Sequence, residues 1–356
     1  MEALRRLLPL AAVAAFLLAG CADDAPTASE TRDAPATTAS DTTDAPATSA
    51  SDTTDAPATT ASNTTDASAA STSTAAVEET FPVEVASAGG SVTISARPER
   101  IVSISPTATE MLFAIGAGDQ VEAVDELSYY PEEAPVTDLS GFEPNVEAIL
   151  GFEPDLVVLS AAGDVVAGLD AAGVPSLVLP AAMSMADTYT QIEQLGVATG
   201  HVGDAAELVG QMQAEIDTLA ASVPDRDLPL TYYHELDEAL FSVTSGTFIG
   251  ELYALAGLVN VADEADVDGA AGGYPQLSAE YLLAADPDLI FLADSRCCGQ
   301  NAQTLAQRPG FDQLTALRQG NVVELDDDVA SRWGPRVVEL FRSVVEATVA
   351  VPEPAG

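Results

Sequence analysis

Two glutamates sit at matching places in a stretch that the chain carries twice. Asn145 to Ser160 reads NVEAILGFEPDLVVLS, and Ser278 to Ala293 reads SAEYLLAADPDLIFLA. Laid over each other, Glu147 falls on Glu280, Pro154 on Pro287 and Asp155 on Asp288. An exposed carboxylate takes an arginine fork on a partner in a bidentate contact. It serves equally well as a plain helix-start residue favoured by the helix dipole. On the residues alone the two readings stand level. Other chemistry has less to work with. The only histidines are His201 and His234, too few for a zinc or manganese carrier. A hydrolytic triad needs a nucleophile, a base and an orienter, and there is no G-x-S-x-G turn and no histidine in a catalytic context. Cys297 and Cys298 are adjacent in Asp294-Ser-Arg-Cys-Cys-Gly299, with no C-x-x-C. Loop use outranks metal binding there, and a reduced pair and a vicinal disulfide both stay open.

The repeated stretch predicts its own structure. Each copy has a short helical pattern, an acidic-Pro-Asp break and an apolar run. Proline disfavours the helical region for the residue before it, so the helices should end at Glu153 and Asp286. The apolar runs are short and β-favouring, as in strands buried on both faces. A second pair supports the first: Glu110-Met-Leu-Phe-Ala-Ile-Gly116 resembles Glu251-Leu-Tyr-Ala-Leu-Ala-Gly257. Each places an acid near a helix start and a glycine where a left-handed cap is wanted. The offsets, 133 and 141 residues, are similar. Two matches in the same order predict an α/β protein of two lobes with related topology and a ligand cleft between them. Tyr189 to Ser222 is helical in pattern with a break near Gly200, and a long helix joining the lobes is expected there.

The chain starts with MEALRRLLPLAAVAAFLLAGC. Arg5 and Arg6 precede a short apolar run that ends in Leu-Ala-Gly-Cys21, the pattern of a bacterial lipoprotein signal with Cys21 as the lipid attachment point. The apolar stretch is short for a membrane span. Residues 22–80 are low complexity, with Ser-Asp-Thr-Thr-Asp-Ala-Pro-Ala-Thr recurring at a spacing of eleven. Such a composition cannot bury a core and is expected to be a disordered spacer. Residues 81–350 are then the folded part, with an N lobe at about 97–183, the linking helix at about 184–222 and a C lobe at about 226–350. The formal net charge is −44, and all twelve basic residues are arginines. That field repels nucleic acid and anionic lipid, and is read as surface adaptation for solubility.

Pro98-Glu-Arg-Ile-Val-Ser-Ile-Ser-Pro-Thr-Ala-Thr-Glu110, Tyr129-Tyr130-Pro131, Asn145-Val-Glu147 and Tyr274-Pro-Gln-Leu-Ser278 together resemble the substrate-binding proteins of ABC importers for cobalamin, ferric siderophores and haem, most closely the cobalamin branch. The resemblance spans about Arg97 to Thr348. It implies two Rossmann-like lobes joined by a long α-helix, a non-catalytic carrier, and a monomer that delivers ligand to a permease dimer with its ATPase on the outer face of the cell membrane. It implies that Glu147 and Glu280 dock with permease arginines. Cleft contacts are expected from Ser105, Pro106, Tyr129, Tyr130 and Phe142 in the first half, and from Glu235, Tyr274, Arg296, Arg332 and Trp333 in the second. The expected ligand is a cobalamin-like corrinoid, carried as cargo with no resident cofactor. A ferric siderophore or haem is the alternative, with Tyr129, Tyr130 or His234 as a haem ligand. An exported hydrolase and an interaction protein without a small ligand rank below. Leu127 and Ser160 depart from the aromatic residues of the cobalamin branch.

Overall fold

A computed structural model describes residues 80–352 of the chain. The signal segment, Cys21 and the repeat tract up to residue 79 lie outside the described residues. A hairpin comes first, β1 (Val83–Ser87) and β2 (Gly90–Ile94), turned at Gly89 and Gly90 with positive φ. Then follow β3 (Ile101–Ile104), α1 (Pro106–Ala114), β4 (Val121–Asp125), β5 (Val136–Leu139), α2 (Val146–Leu150), β6 (Leu156–Leu159), α3 (Asp164–Ala172) and β7 (Ser176–Val178). The strands after the hairpin form a parallel sheet in the order β5-β4-β3-β6-β7. Two helices intervene, α4 (Met185–Thr199) and α5 (Val202–Ala221). The second half runs β8 (Thr231–Glu235), α6 (Phe248–Leu255), β9 (Val259–Asn260), α7 (Ala279–Ala285), β10 (Leu289–Leu292), α8 (Ser295–Cys298), α9 (Ala302–Ala306), α10 (Thr315–Gln319), β11 (Val322–Glu324), α11 (Asp327–Ser331) and α12 (Val337–Ala350). Its sheet is also parallel, in the order β11-β10-β8-β9.

The two lobes share a topology. β4-β3-β6-β7 and β9-β8-β10-β11 are the same order of strands by chain position, and the N lobe adds β5 at an edge. The duplicated stretch is therefore α2–β6 in one lobe and α7–β10 in the other, as its sequence predicts. All four residues of β6 and of β10 are buried, because helices cover both faces of each sheet. The Pro-Asp break has a structural task. Asp155 accepts the backbone N–H groups of Glu99 and Arg100 just before β3, and Asp288 accepts the N–H and hydroxyl of Thr231 at the start of β8. Each aspartate thus pins its strand to the neighbouring one. α7 ends where expected, with Asp286 left-handed at φ 42°. α2 ends earlier, at Leu150, and Glu153 closes the following turn at φ 50°.

Two expectations change. Glu110 is not near a helix start: Ser105 caps α1, so Glu110 lies inside the helix and is buried. The single long linking helix is instead α4 and α5, broken at Gly200 in the left-handed region with φ 76°. α4 packs on β1 and α1 of the N lobe, and α5 packs on α12 of the C lobe. The helices press together where Gly196 faces Ala205. A Cβ at 196 would come within 2.5 Å of the alanine methyl, so this approach requires glycine.

Strand alternation divides the core into three. Val102, Ala123 and Val157 face a cluster private to the N lobe, and Tyr233, Ile290 and Leu292 face one private to the C lobe. The opposite faces, with Ile101, Val158, Tyr232 and Phe291, join α1, α4, α5, α6 and α12 in one cluster that runs through both lobes.

Candidate functional site

In a doubly wound sheet the crevice opens beyond the carboxyl ends of the strands, where the strand order reverses. In the N lobe this point lies between β3 and β6, and in the C lobe between β8 and β10. At the first, Ser105 caps α1 and is buried, and Pro106 starts the helix. Beside it is a recess of about 270 Å3 lined by Ile104, Gly141, Phe142, Leu159 and Ser160. Phe142 is 83% exposed on its rim. A larger depression of about 630 Å3, bounded by β2, Pro154 and Pro175, lies at the opposite strand edge and away from these residues.

The segment Asp326–Arg336 of the C lobe reaches the N lobe. Arg332 donates from Nη1 to Glu110 at 2.8 Å and from Nη2 to the Leu127 carbonyl at 3.1 Å and to Asp328 at 2.9 Å. Arg336 adds two bonds to Glu110, at 2.9 and 2.6 Å. The guanidinium of Arg332 lies 5.2 Å from the Tyr129 ring centre, and that of Arg336 lies 4.0 Å from the Tyr130 ring centre. The Tyr129 hydroxyl donates to Asp328 at 2.5 Å. Trp333 is half-buried against the shared core and donates to Gln191 of α4 at 2.8 Å. The repeat-related acid of α6 crosses in the other direction, with Glu251 accepting the Met185 N–H at the start of α4 at 2.8 Å.

At the C-lobe reversal point, Glu235 and Asp294 end β8 and follow β10. Glu235 is fully buried and takes both Nη atoms of Arg308, at 2.7 and 2.6 Å. Burial raises its pKa, and Arg308 opposes that shift. Asp294 is also buried, and neither carboxyl oxygen has a hydrogen-bond partner among the described residues. Burial first, and the Glu235 charge second, push its pKa up to about 7. An unfolded aspartate ionises near 3.8, so between there and pH 7 the folded chain keeps a proton that the unfolded chain has lost. Stability therefore falls as the pH rises through this window and levels off above it. Asp294→Asn is expected to raise stability by up to about 4 kcal/mol at pH 8 and to leave it unchanged at pH 4. Urea unfolding at both values checks this, and an equal effect at the two pH values would refute it.

α8, which starts just after Asp294, carries Cys297 and Cys298 joined as an exposed vicinal disulfide. Asp327 holds this turn by accepting the N–H groups of Arg296 at 3.0 Å and Cys297 at 2.6 Å. The Arg296 side chain is exposed and paired with Asp326.

Residues 101–329 match the family model described as periplasmic binding protein. The chain belongs to this family. A cobalamin-binding protein of Halobacterium salinarum is 31% identical over 279 residues, covering 75% of this chain and 74% of that one. An uncharacterized ABC transporter substrate-binding lipoprotein of Bacillus subtilis, YvrC, is 29% identical, covering 76% and 86%. The apo structure of the periplasmic heme-binding protein RhuT from Roseiflexus sp. RS-1 superposes with a TM-score of 0.61 at 26% identity, covering 71% of this chain and 98% of that one. These relatives are named for binding and transport, and this periplasmic binding protein is not an enzyme.

The fold of this periplasmic binding protein brings together only some of the expected contacts. Ser105, Pro106, Phe142, Tyr129 and Tyr130 gather at the N-lobe strand edge. Tyr274, 47% exposed, follows the left-handed Gly272 and Gly273 in the C lobe. Glu235 is a correction: it lies under the surface and is consumed by Arg308. Arg332 is another, since its forked donors are committed to Glu110, Asp328 and a carbonyl. His234 is a third. It is fully buried with Nδ1 2.7 Å from the Tyr253 hydroxyl, so it reaches no haem; burial lowers its pKa to about 3. Sequence reading missed Arg308, Asp294, Asp328 and Arg336. The scarcity of cations was the available signal, because a lysine-free acidic chain places each arginine against a specific partner.

Proposed function

We propose that this chain is a lipid-anchored extracytoplasmic substrate-binding protein that captures a cobalamin-like corrinoid and passes it to an ABC importer. The observation that carries this reading is the set of exposed aromatic rings at the strand ends: Phe142 on the rim of the N-lobe recess, Tyr274 on the C-lobe loop, and Tyr129 and Tyr130, each about half exposed with a guanidinium against one face. A broad, flat ligand laid across them gains contact area with little loss of side-chain freedom. The cobalamin-binding relative supports a corrinoid as that ligand. The heme-binding neighbour supports the second reading, in which a ferric siderophore or haem is carried and Tyr129 or Tyr130 supplies the iron ligand. Tyr129 would then have to release Asp328.

Titration of the purified protein with cyanocobalamin, haem and ferrichrome, followed by absorption and calorimetry, separates the readings. Tyr130→Ala and Tyr274→Ala should each weaken corrinoid binding by roughly 1–3 kcal/mol. Unchanged affinity in both variants would remove these rings from the site.

Glu147 and Glu280 fit a docking role. Both are exposed, and both occupy the second position of a helix that precedes a fully buried strand, with Asn145 and Ser278 as the caps. They present one carboxylate per lobe to a permease dimer. Cys21 is proposed as the lipid attachment point and the monomer as the working form.

A further inference from the structure

The strand edge has carboxylates to spare and no spare cation. Nine arginines fall among the described residues, and each is engaged. Arg97, Arg226 and Arg318 bind backbone carbonyls, and Arg100 and Arg342 pair with Glu153 and Glu215. The four at the carboxyl edge all hold carboxylates. Arg296 pairs with Asp326 and Arg308 with Glu235, while Arg332 and Arg336 share Glu110, with Asp328 as a further partner of Arg332. Each of these positive charges is matched by a negative one.

The unmatched groups are all acids. Asp294 is buried with two orphan oxygens at the C-lobe reversal point. Asp327 is held only by N–H and hydroxyl donors beside the disulfide turn. In the N lobe, Asp125 is fully buried, bonded to Leu127 N–H and the Ser128 hydroxyl, and its carboxyl lies 3.4 Å from where a Cβ of Gly141 would be. Gly141 lines the recess. Burial raises the pKa of both Asp125 and Asp294, the latter to about 7. Above that pH, where Asp294 is ionised, both lobes offer an incoming ligand a negative field, and an anion entering here meets uncompensated repulsion in a partly desolvated setting. Building repulsion against the wrong ligand is an effective source of specificity.

We infer that this cleft selects by charge: it accepts large ligands that are neutral or cationic overall, and rejects those carrying carboxylate or catecholate charge. This rests on the cleft being the ligand site proposed above. It divides the candidates by chemistry. Overall-neutral corrinoids and ferric hydroxamates pass, whereas haem with its two propionates and ferric tris-catecholates do not.

The test uses the purified protein and four probes: cyanocobalamin, ferrichrome, haem and ferric enterobactin. At low salt and about pH 8, with Asp294 ionised, the anionic probes should bind at least about 100-fold more weakly than the better neutral probe, and the gap should narrow as salt screens the field. Asp326→Asn keeps a helix-capping side chain and releases the charge of Arg296, and should move the ratio toward haem by about 3–10-fold. Haem or ferric enterobactin binding as tightly as the better neutral probe would overturn the inference. So would failure of both neutral probes. Binding of ferrichrome without cyanocobalamin would end the corrinoid reading and leave the charge rule standing.

Discussion

Glu110→Ala is expected to destabilise the protein by about 3–5 kcal/mol, the loss typical when one partner of a buried ion pair is removed. Glu110 is 3% exposed and accepts three hydrogen bonds from Arg332 and Arg336. Truncation leaves two largely buried guanidinium groups facing each other without a counter-charge. Asp328 retains one bond to Arg332, and nothing comparable remains for Arg336. The loss also frees the rings of Tyr129 and Tyr130, so ligand binding should weaken even where the variant is folded. Urea unfolding measures the first effect and titration of the folded protein the second. A loss below about 1 kcal/mol would mean that water replaces the carboxylate and that the network is solvated.

The second large effect concerns transport. Changing both Glu147 and Glu280 to arginine should reduce uptake by cells about 100-fold or more, because like charges would then face each other at both docking points. Ligand affinity of the purified variant should stay within about twofold, since both side chains are exposed and stand on the first turns of short helices. The double alanine variant should fall between. Normal uptake by the double arginine variant would sink the docking assignment, and lost ligand binding would place these glutamates in the cleft or the fold instead.

Much of the architecture was written in local chemistry. The acidic-Pro-Asp breaks, the apolar tetrads behind them and Gly116 and Gly257 at left-handed turns are short-range signals, and they located the repeated half-lobes. The break at Gly200 was visible too. What could not be seen was that the chain turns there so that α4 and α5 serve different lobes, because that depends on the close Gly196–Ala205 approach and on what each helix meets. Exposure could be anticipated from residue type, but pairing could not. Tyr129, Tyr130, Phe142 and Tyr274 are among the exposed large apolar side chains. The resemblance places Glu235 and Arg332 in the cleft, but each is engaged by a partner distant in sequence. Their partners, Arg308 and Glu110, lie 73 and 222 residues away, beyond the reach of any spacing argument.

One apolar cluster takes side chains from both sheets and from the helices between them. The molecule therefore cannot be cut at the seam of its duplication. A chain ending after β7 would leave Ile101, Met111 and Leu112 against water, and one starting at β8 would do the same to Tyr232, Phe291 and Phe341. Grafting is another matter on the outer faces, where each lobe closes a cluster of its own. The turns at Gly173 and Gly320 follow α3 and α10 on those faces, and a Cβ at either would meet nothing within 4 Å. A reporter domain or a lobe-specific loop exchange belongs at these turns, where the shared interior never registers the insertion.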